Sequence, residues 1–282
     1  MSVAAVPHPF GELLRSWRQR RNLSQLELAL GADISSRHVS FVETGRAQPS
    51  REMVVRLAGE LEVPMRERNA LLLAAGYAPI YSERSLDAPE MAPVRQALDR
   101  FLRAHEPYPA VVVDRHHNLI AANDACDLLL YGVAADLLKE PANGMRIALH
   151  PEGMAPRTLN LAEWSAHLLQ RVRREAQVTG DPQLARLVDE LAAYPGIHFA
   201  PPHSDLHPND IVLPLRLLDL DGETELAFFS TLSTFGTAID ITLSELAIEA
   251  FYPANADTAM RLMHDIAAEP QPSSSRTPSP RR

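Results

Sequence analysis

Apolar positions in the first quarter of the chain recur at the three- and four-residue spacing of amphipathic helices. Phe10, Leu13, Leu14 and Trp17 predict a first helix over residues 10–21. The same spacing, punctuated by serine caps and glycine or proline breaks, predicts four further helices: one after Ser24, one over 36–43, one after Ser50 and one over 65–75. Five short helices, two of them joined by a tight turn, predict an all-α helix-turn-helix bundle over residues 10–78.

The second, third and fourth predicted helices share one long motif. It reads Ser24-Gln25-x-x-Leu28-Ala29, then Ile34-Ser35-x-x-x-Val39-Ser40-x-x-Glu43-x-Gly45-Arg46-x-x-Pro49-Ser50. This pattern resembles the phage-repressor-like (Cro/C1-type, or XRE) helix-turn-helix family, and the match continues through Leu57, Leu61, Val63 and Pro64. The resemblance implies a transcriptional regulator that binds a double-stranded DNA operator, with the third helix in the major groove.

In this geometry the amino-terminal residues of the third helix face the base edges, and the candidates are Ser36, Arg37, His38, Ser40 and Phe41. Arg37 suits a two-point contact to guanine, with a phosphate contact as the alternative. Phe41 either meets a thymine methyl group or packs on the fourth helix. The side chains that this surface presents therefore predict sequence-specific recognition.

The resemblance also implies contacts to the DNA backbone from Gln25, at the start of the second helix, and from Arg46. Glu43 is predicted to be structural, because a carboxylate so close to phosphate should pair within the domain, with an arginine of the first helix. One such domain makes few base contacts, so we expect a homodimer on two half-sites.

The periodicity changes after a proline-containing linker at 79–92. A helix over 93–105 precedes two apolar runs that are separated by Arg115-His116-His117-Asn118, which is a hairpin pattern. The elements predicted next are strands at 110–114, 119–123, 210–218, 223–234 and 245–251 and helices at 124–131, within 158–194 and near 255–267. They predict an α+β domain over 93–267, with a five-stranded antiparallel sheet wrapped on one side by helices.

Several segments of this second domain match a known regulator family. They are Val113-Asp114, Ala121-Asn123, Phe229-Ser230-Thr231, Phe235-Gly236 with Asp240, and Glu249 to Ala254. Together with the preceding bundle they resemble the MmyB-like regulators, whose carboxy-terminal PAS-like domain is regarded as ligand-binding. The resemblance implies a small hydrophobic, fatty-acid-like ligand, while the stretch between Met145 and Pro202 carries no clear family motif.

A pocket between the sheet and its helices would use apolar side chains, each of which is also a candidate for plain core: Val112, Ile120, Leu130, Trp164, Leu168, Phe228, Leu232 and Phe251. Arg146 or Arg216 could anchor a carboxylate. A nearby basic run that includes Arg171 is interpreted as a solvated helix face. No cofactor is expected apart from this ligand.

Other interpretations of the second domain remain open. It could be a protein-interaction module without a ligand. His203 and His207 have metal-ligand spacing but lie in a proline-rich stretch, so no metal is assigned to them. Cys126 is either a redox sensor at a helix start or, as we favour, buried packing. An enzyme is not expected, because phosphate-loop, G-x-S-x-G and H-E-x-x-H motifs are absent from the sequence.

The overall charge of −9 does not favour a nucleic-acid partner, but its distribution does not exclude one. Residues 10–80 carry a net charge of +2, whereas residues 81–269 carry −14. The sequence has a single cysteine and shows no secretory signal or apolar stretch long enough to span a bilayer, so a cytoplasmic, nucleoid-associated protein without membrane contact is expected. The ends, 1–9 and 268–282, are expected to be disordered.

Overall fold

A computed structural model of the protein describes residues 9–197 and 211–268. The predictions for the first eight residues, for 269–282 and for the His203 and His207 pair lie outside the described residues.

The amino-terminal region is the predicted bundle of five helices, and its helices are α1 (Phe10–Arg20), α2 (Gln25–Gly31), α3 (Ser36–Glu43), α4 (Arg51–Glu60) and α5 (Met65–Ala74). Hydroxyl groups of Ser24, Ser35 and Ser50 accept hydrogen bonds from backbone N–H groups in the first turns of α2, α3 and α4. These caps satisfy donors that a helix leaves unpaired, so each helix starts where the sequence predicts.

The core of the bundle brings all five helices together around fully buried aliphatic side chains such as Leu14, Leu28 and Leu57. Gly11 lets α1 approach the end of α3, because an added Cβ would lie only 2.4 Å from the carbonyl oxygen of Glu43. The end of α3 is therefore packed closely against α1.

The second domain begins with α6 (Ala92–Ala104) and contains a five-stranded antiparallel sheet. Its strands are β1 (Ala110–Val113), β2 (Leu119–Ala122), β3 (Leu215–Leu218), β4 (Glu225–Thr234) and β5 (Ala247–Pro253), in the order β2-β1-β5-β4-β3. The predicted hairpin and five-stranded sheet are confirmed. The third strand is shorter than expected, since it starts at Leu215.

Helices α7 (Asp127–Leu130) and α8 (Gly144–Leu149) follow the first hairpin, and the long α9 (Leu161–Thr179) packs against α10 (Pro182–Ala192). The short α11 (Ile241–Ser244) precedes β5, and α12 (Ala256–Ala268) follows it. Within residues 9–197 and 211–268, no helix combines the length and apolarity needed to cross a membrane.

Helices cover both faces of the sheet, not one face as the sequence analysis expected. Val112, Ile248 and Ala250 pack against Leu98 and Leu102 of α6. The larger core, which includes α8, α9 and α10, lies on the opposite face. Alternate residues of a strand point to opposite faces, and β1 and β5 carry apolar residues on both, with Glu249 as the charged exception in β5. This double covering places a smaller core against α6 on one face of the sheet and the larger core on the other.

Candidate DNA-binding surface and ligand pocket

The amino-terminal part of α3 presents polar side chains at the protein surface. Ser36 and Arg37 are exposed, and Ser40 is half-buried. The Arg37 guanidinium lies 5.2 Å from the centroid of the half-buried Phe41 ring. Stacking of this kind restrains a long side chain without using its hydrogen-bond donors. The contact with Phe41 therefore leaves the hydrogen-bond donors of the exposed Arg37 available.

Two predicted DNA contacts are engaged inside the domain. Gln25 Nε2 donates to Glu43 Oε2 at 2.8 Å, and His38 Nε2 contacts Met53 Sδ at 3.1 Å. Arg46, which follows the left-handed Gly45 turn, is exposed instead. Arg37 and Arg46 therefore offer the freest cationic groups among the predicted DNA contacts.

Glu43 is the buried polar centre of the bundle, as the sequence analysis proposed. Arg18 donates to both of its carboxylate oxygens, at 2.6 and 3.0 Å, and Arg15 donates at 3.3 Å. Burial opposes ionisation of Glu43, but the hydrogen bonds from Arg18 and Gln25 outweigh it and hold the pKa of this carboxyl below its ordinary value. This network ties α1 and α2 to the end of α3.

The second domain contains a mainly apolar cavity of about 90 Å³ between the sheet and helices α7, α8 and α9. Its walls include Leu130 of α7, Met145 of α8 and Trp164 of α9, and Val111 and Phe251 lie on its sheet side. A cavity of this size exceeds the ~10–15 Å³ that a water needs, but it is smaller than a ~150 Å³ cavity that binds benzene. Additional room for a chain-like ligand must come from movement of the lining side chains.

Four of the eight predicted pocket residues line this cavity: Leu130, Trp164, Leu168 and Phe251. The other four, Val112, Ile120, Phe228 and Leu232, do not. Val112 is buried against α6, and Phe228 is fully buried in the larger core without reaching the cavity. Leu232 shares a face with Glu249 but is 51% exposed near the end of β4.

Ile120 is displaced by a β-bulge that the alternating pattern did not reveal. Val112 pairs with Ala121 and Val113 pairs with Leu119, so Ile120 is the extra residue between them. It is 42% exposed, while its neighbour Leu119 and the strand residue Ala122 line the cavity. The extra residue in β2 thus changes which side chains of this strand face the cavity.

Three polar side chains at the cavity were not predicted as pocket residues: His117, Arg171 and Glu249. Arg171 donates to both carboxylate oxygens of Glu249 at 3.0 Å, and His117 Nε2 lies 2.7 Å from Glu175 Oε2. The interpretation of Arg171 as a solvated residue is therefore wrong. It lies seven residues after Trp164 and three after Leu168, on the apolar stripe of α9, and that spacing could have revealed it.

The two arginines suggested as carboxylate anchors lie outside the cavity lining. Arg146 donates to both oxygens of Glu190, and Arg216 does the same with Glu225 across the β3–β4 pair. Each is thus occupied by a partner on its own surface. Glu249 could have been recognised from the sequence as a candidate polar group at the pocket, because it is a charged residue within the otherwise apolar run of β5.

Cys126 is buried in the cavity wall, where its thiol donates to the carbonyl oxygen of Ala110 at 3.3 Å. Burial raises the pKa of this thiol to about 12. A thiol that stays protonated is a poor nucleophile, so the structure agrees with the packing interpretation. Among the described residues, no group of three or more His, Cys, Asp or Glu side chains could hold a metal ion.

The two domains meet through charged contacts that leave α3 open. Arg66 of α5 donates to both oxygens of Glu245 at 2.8 Å. Arg115, in the β1–β2 turn, lies 3.3 Å from Glu67 of α5 and 3.1 Å from Asp181. None of the interdomain hydrogen bonds between described residues involves α3. The turn that connects the cavity residue His117 to Arg115 therefore reaches the helical bundle directly.

Two family models match the chain. A helix-turn-helix model covers residues 14–68, and a model described as the MmyB-like transcription regulator ligand binding domain covers residues 94–263. These matches define a DNA-binding transcriptional regulator, a class of protein that is not an enzyme. Since the second match spans more than half of the sequence, the chain belongs to the MmyB-like family of helix-turn-helix transcription regulators.

Individual relatives each match only part of the chain. The chain is 36% identical over 105 residues to an uncharacterized HTH-type transcriptional regulator, RghRB, of Bacillus subtilis (strain 168), which is 37% of this chain and 67% of that protein. A crystal structure of the clp gene regulator ClgR from Corynebacterium glutamicum superposes with a TM-score of 0.21 and 24% identity. That superposition covers 35% of this chain and 90% of the other.

Proposed function

We propose that the protein is a homodimeric, sequence-specific regulator that reads its operator with α3 and responds to a small hydrophobic, fatty-acid-like ligand in the cavity of the second domain. The observation that supports base reading best is the exposed Arg37 at the start of α3, braced on Phe41. With only +2 net charge over residues 10–80, the bundle has little bulk attraction for phosphate, so binding depends on a few placed contacts and on their duplication in a dimer.

In vitro selection of bound DNA tests whether α3 reads the base sequence. We expect an inverted repeat, with half-sites about one helical turn apart if the dimer is symmetric. Arg37→Ala should relax the preference at one position of each half-site by ~1–3 kcal/mol, whereas Arg46→Ala should weaken all sequences alike and reduce the salt dependence of binding.

Arg103→Ala provides the control, because Arg103 is an exposed arginine of α6 that pairs with Asp99 in the other domain. It should change neither preference nor affinity. If Arg37→Ala selects the same sites with the same preferences as the parent, α3 does not read bases through this residue. A single, unrepeated site would contradict the homodimer.

The mainly apolar cavity supports the ligand part of the proposal, and the hairpin contact supports a route of control. The β1–β2 turn links His117, at the cavity, to Arg115, at α5. A ligand can control DNA binding only if it favours one arrangement of the two domains over another. We propose that adjustment of the hairpin around the ligand changes the contact of Arg115 with Glu67.

Native mass spectrometry of the purified full chain, followed by organic extraction, tests for the ligand. A co-purifying amphiphile of defined mass, or saturable uptake of an added one, is the expected result. The competing function, a protein-interaction module without a ligand, predicts an empty domain that takes up no amphiphile.

A further inference from the structure

The cavity has a polar end formed by residues from four elements. Arg171 and Glu175 come from α9, Glu249 comes from β5, His117 follows β1, and Ser230 of β4 helps to lower the pKa of the Glu249 carboxyl. Two nitrogens in this cluster, His117 Nδ1 and Arg171 Nε, are buried without a hydrogen-bond partner among the described residues. Buried polar atoms without partners are rare in native proteins and often mark a functional site.

The hydrogen-bond roles of these two nitrogens follow from their neighbours. His117 Nε2 lies 2.7 Å from Glu175 Oε2, and an ionised carboxylate only accepts, so Nε2 carries the proton. In the neutral ring, Nδ1 is then an acceptor. Arg171 Nε can only donate, and it lies 4.0 Å from Glu175 Oε1, which is too far for a hydrogen bond. With His117 neutral, the cluster therefore offers a ligand one acceptor and one donor.

The charges of the cluster disfavour an anionic head group. Two carboxylates, Glu175 and Glu249, share one guanidinium, so the cluster carries a net negative charge when His117 is neutral. Burial opposes ionisation of Glu249, but its attraction to Arg171 outweighs this and lowers its pKa. An incoming carboxylate would have to compete with Glu249 for Arg171 in a poorly solvated site, and like charges at close range are costly there.

We propose that this cavity selects an amphiphile whose apolar tail ends in a neutral head group that both accepts and donates a hydrogen bond, such as a hydroxyl or a primary amide. The head-group oxygen accepts from Arg171 Nε, and its O–H or N–H donates to His117 Nδ1. The tail lies along the apolar wall formed by residues such as Trp164 and Leu168. This inference rests on the proposed function: it keeps the apolar tail of a fatty-acid-like ligand and replaces the acidic head group by a neutral one.

The test compares decan-1-ol, decanamide and decanoic acid, which share one tail, by calorimetric titration into the full chain at pH 7. The acid is ionised at this pH, since carboxyl groups titrate near pH ~4. We expect the alcohol and the amide to bind at least ~10-fold more tightly than the acid, the ratio that a like-charge contact readily produces. Equal or tighter binding of the acid would overturn the head-group assignment but leave the ligand pocket intact. Absence of binding by all three would overturn both.

Glu249→Gln removes the opposing charge and should raise the affinity for decanoic acid relative to decan-1-ol by ~10-fold or more. Glu190→Gln is the matched control, because Glu190 pairs with Arg146 outside the cavity lining, and it should leave the ratio at the parental value. An unchanged ratio in a folded Glu249→Gln protein would contradict the electrostatic argument.

His117→Phe keeps an aromatic ring but removes the acceptor, and it provides a second test if Glu249→Gln fails to fold. We expect the alcohol and the amide to lose ~2- to 10-fold in affinity, as for one hydrogen bond, while the acid changes less. Equal losses for all three ligands would show that His117 acts only through packing, and would overturn its assignment as the acceptor.

Discussion

The helical bundle and the second domain treat buried polar groups in opposite ways. In the bundle, Glu43 has both carboxylate oxygens occupied by donors from α1 and α2. In the second domain, His117 Nδ1 and Arg171 Nε are buried without hydrogen-bond partners beside a cavity. A fully satisfied network holds one arrangement, whereas unsatisfied atoms at a cavity leave room for an external partner. The Glu43 network of the bundle is thus complete by itself, whereas the polar cluster at the cavity keeps two atoms without a partner.

The largest effect should come from breaking the satisfied network. Glu43→Gln leaves Arg18 with a neutral partner in a buried position, and we expect it to lower the free energy of unfolding by ~3–5 kcal/mol. Because the folded pKa of Glu43 lies below its unfolded value, this stabilisation is complete above the unfolded value and disappears as pH falls through the folded one. Urea unfolding at neutral and acidic pH measures both.

Glu62→Gln is the control for this substitution, since Glu62 is exposed near the end of α4. It should change stability by less than ~0.5 kcal/mol. Equal effects of the two substitutions would mean that the Glu43 network contributes no more than a surface charge.

A substitution in the route between the domains should have an intermediate effect, on control but not on folding. Arg115→Ala removes the contacts with Glu67 and Asp181, and partly exposed ion pairs contribute only ~0–1 kcal/mol. Coupling between a ligand site and a DNA-binding site typically changes operator affinity by ~5- to 150-fold. We expect Arg115→Ala to lose most of this ligand-dependent change. The measurement is operator affinity with and without the tightest-binding decyl amphiphile.

Operator affinity of ligand-free Arg115→Ala should stay close to the parental value if the reader is independent of this contact. A variant that still responds fully to the amphiphile would show that control passes through another contact, such as that of Arg66 with Glu245.

Filling the cavity should have a smaller effect on stability, and of opposite sign. Ala148 lines the cavity from α8, and Ala148→Leu should raise the free energy of unfolding by up to ~2 kcal/mol while abolishing amphiphile binding. Thermal unfolding and titration calorimetry measure the two effects. Ala162→Leu, on the exposed side of α9, is the matched control and should leave binding unchanged. Retained binding in Ala148→Leu would place the ligand elsewhere.

The smallest effect concerns the thiol in the cavity wall. With a pKa of about 12, Cys126 should resist alkylation in the folded protein at pH 8 and react after unfolding. Since the fold disfavours only the thiolate, this thiol should have no effect on stability below its unfolded pKa near ~8.5 and should reduce stability above it. Rapid alkylation of the folded protein, followed by mass spectrometry, would contradict the packing role.

The sequence predicted the bundle almost completely, because its information is local. Serine caps, helical spacing and the glycine turns each act within a few residues, and the one long-range contact that was predicted, Glu43 with α1, followed from the cost of leaving a carboxylate near phosphate. The family motif added the prediction that the third helix enters the major groove and presents its exposed residues to the bases. The two predictions that involve engaged side chains, Gln25 and His38, depended on contacts between helices, which spacing along one helix does not contain.

The second domain could be predicted less completely from the sequence than the bundle. Its five strands and their antiparallel arrangement could be predicted from alternation and turns, whereas the order of the strands in the sheet was not predicted and the cavity was predicted only in part. The bulge at Ile120 depends on the register between two strands, and the burial of Arg171 depends on Glu249, which is 78 residues away in the chain. Residues so far apart in the chain become partners only when the folded structure packs them together.

By itself, then, the sequence determined that this protein has a helix-turn-helix bundle and a five-stranded second domain. Helix caps, hydrophobic periodicity and turns each depend only on residues that are close together in the chain. Only the tertiary structure decided which side chains surround the cavity and which of their atoms lack partners. Those features arise where β1, β5 and α9 meet, and a free hydrogen-bonding atom is defined by everything around it and not by its place in the chain.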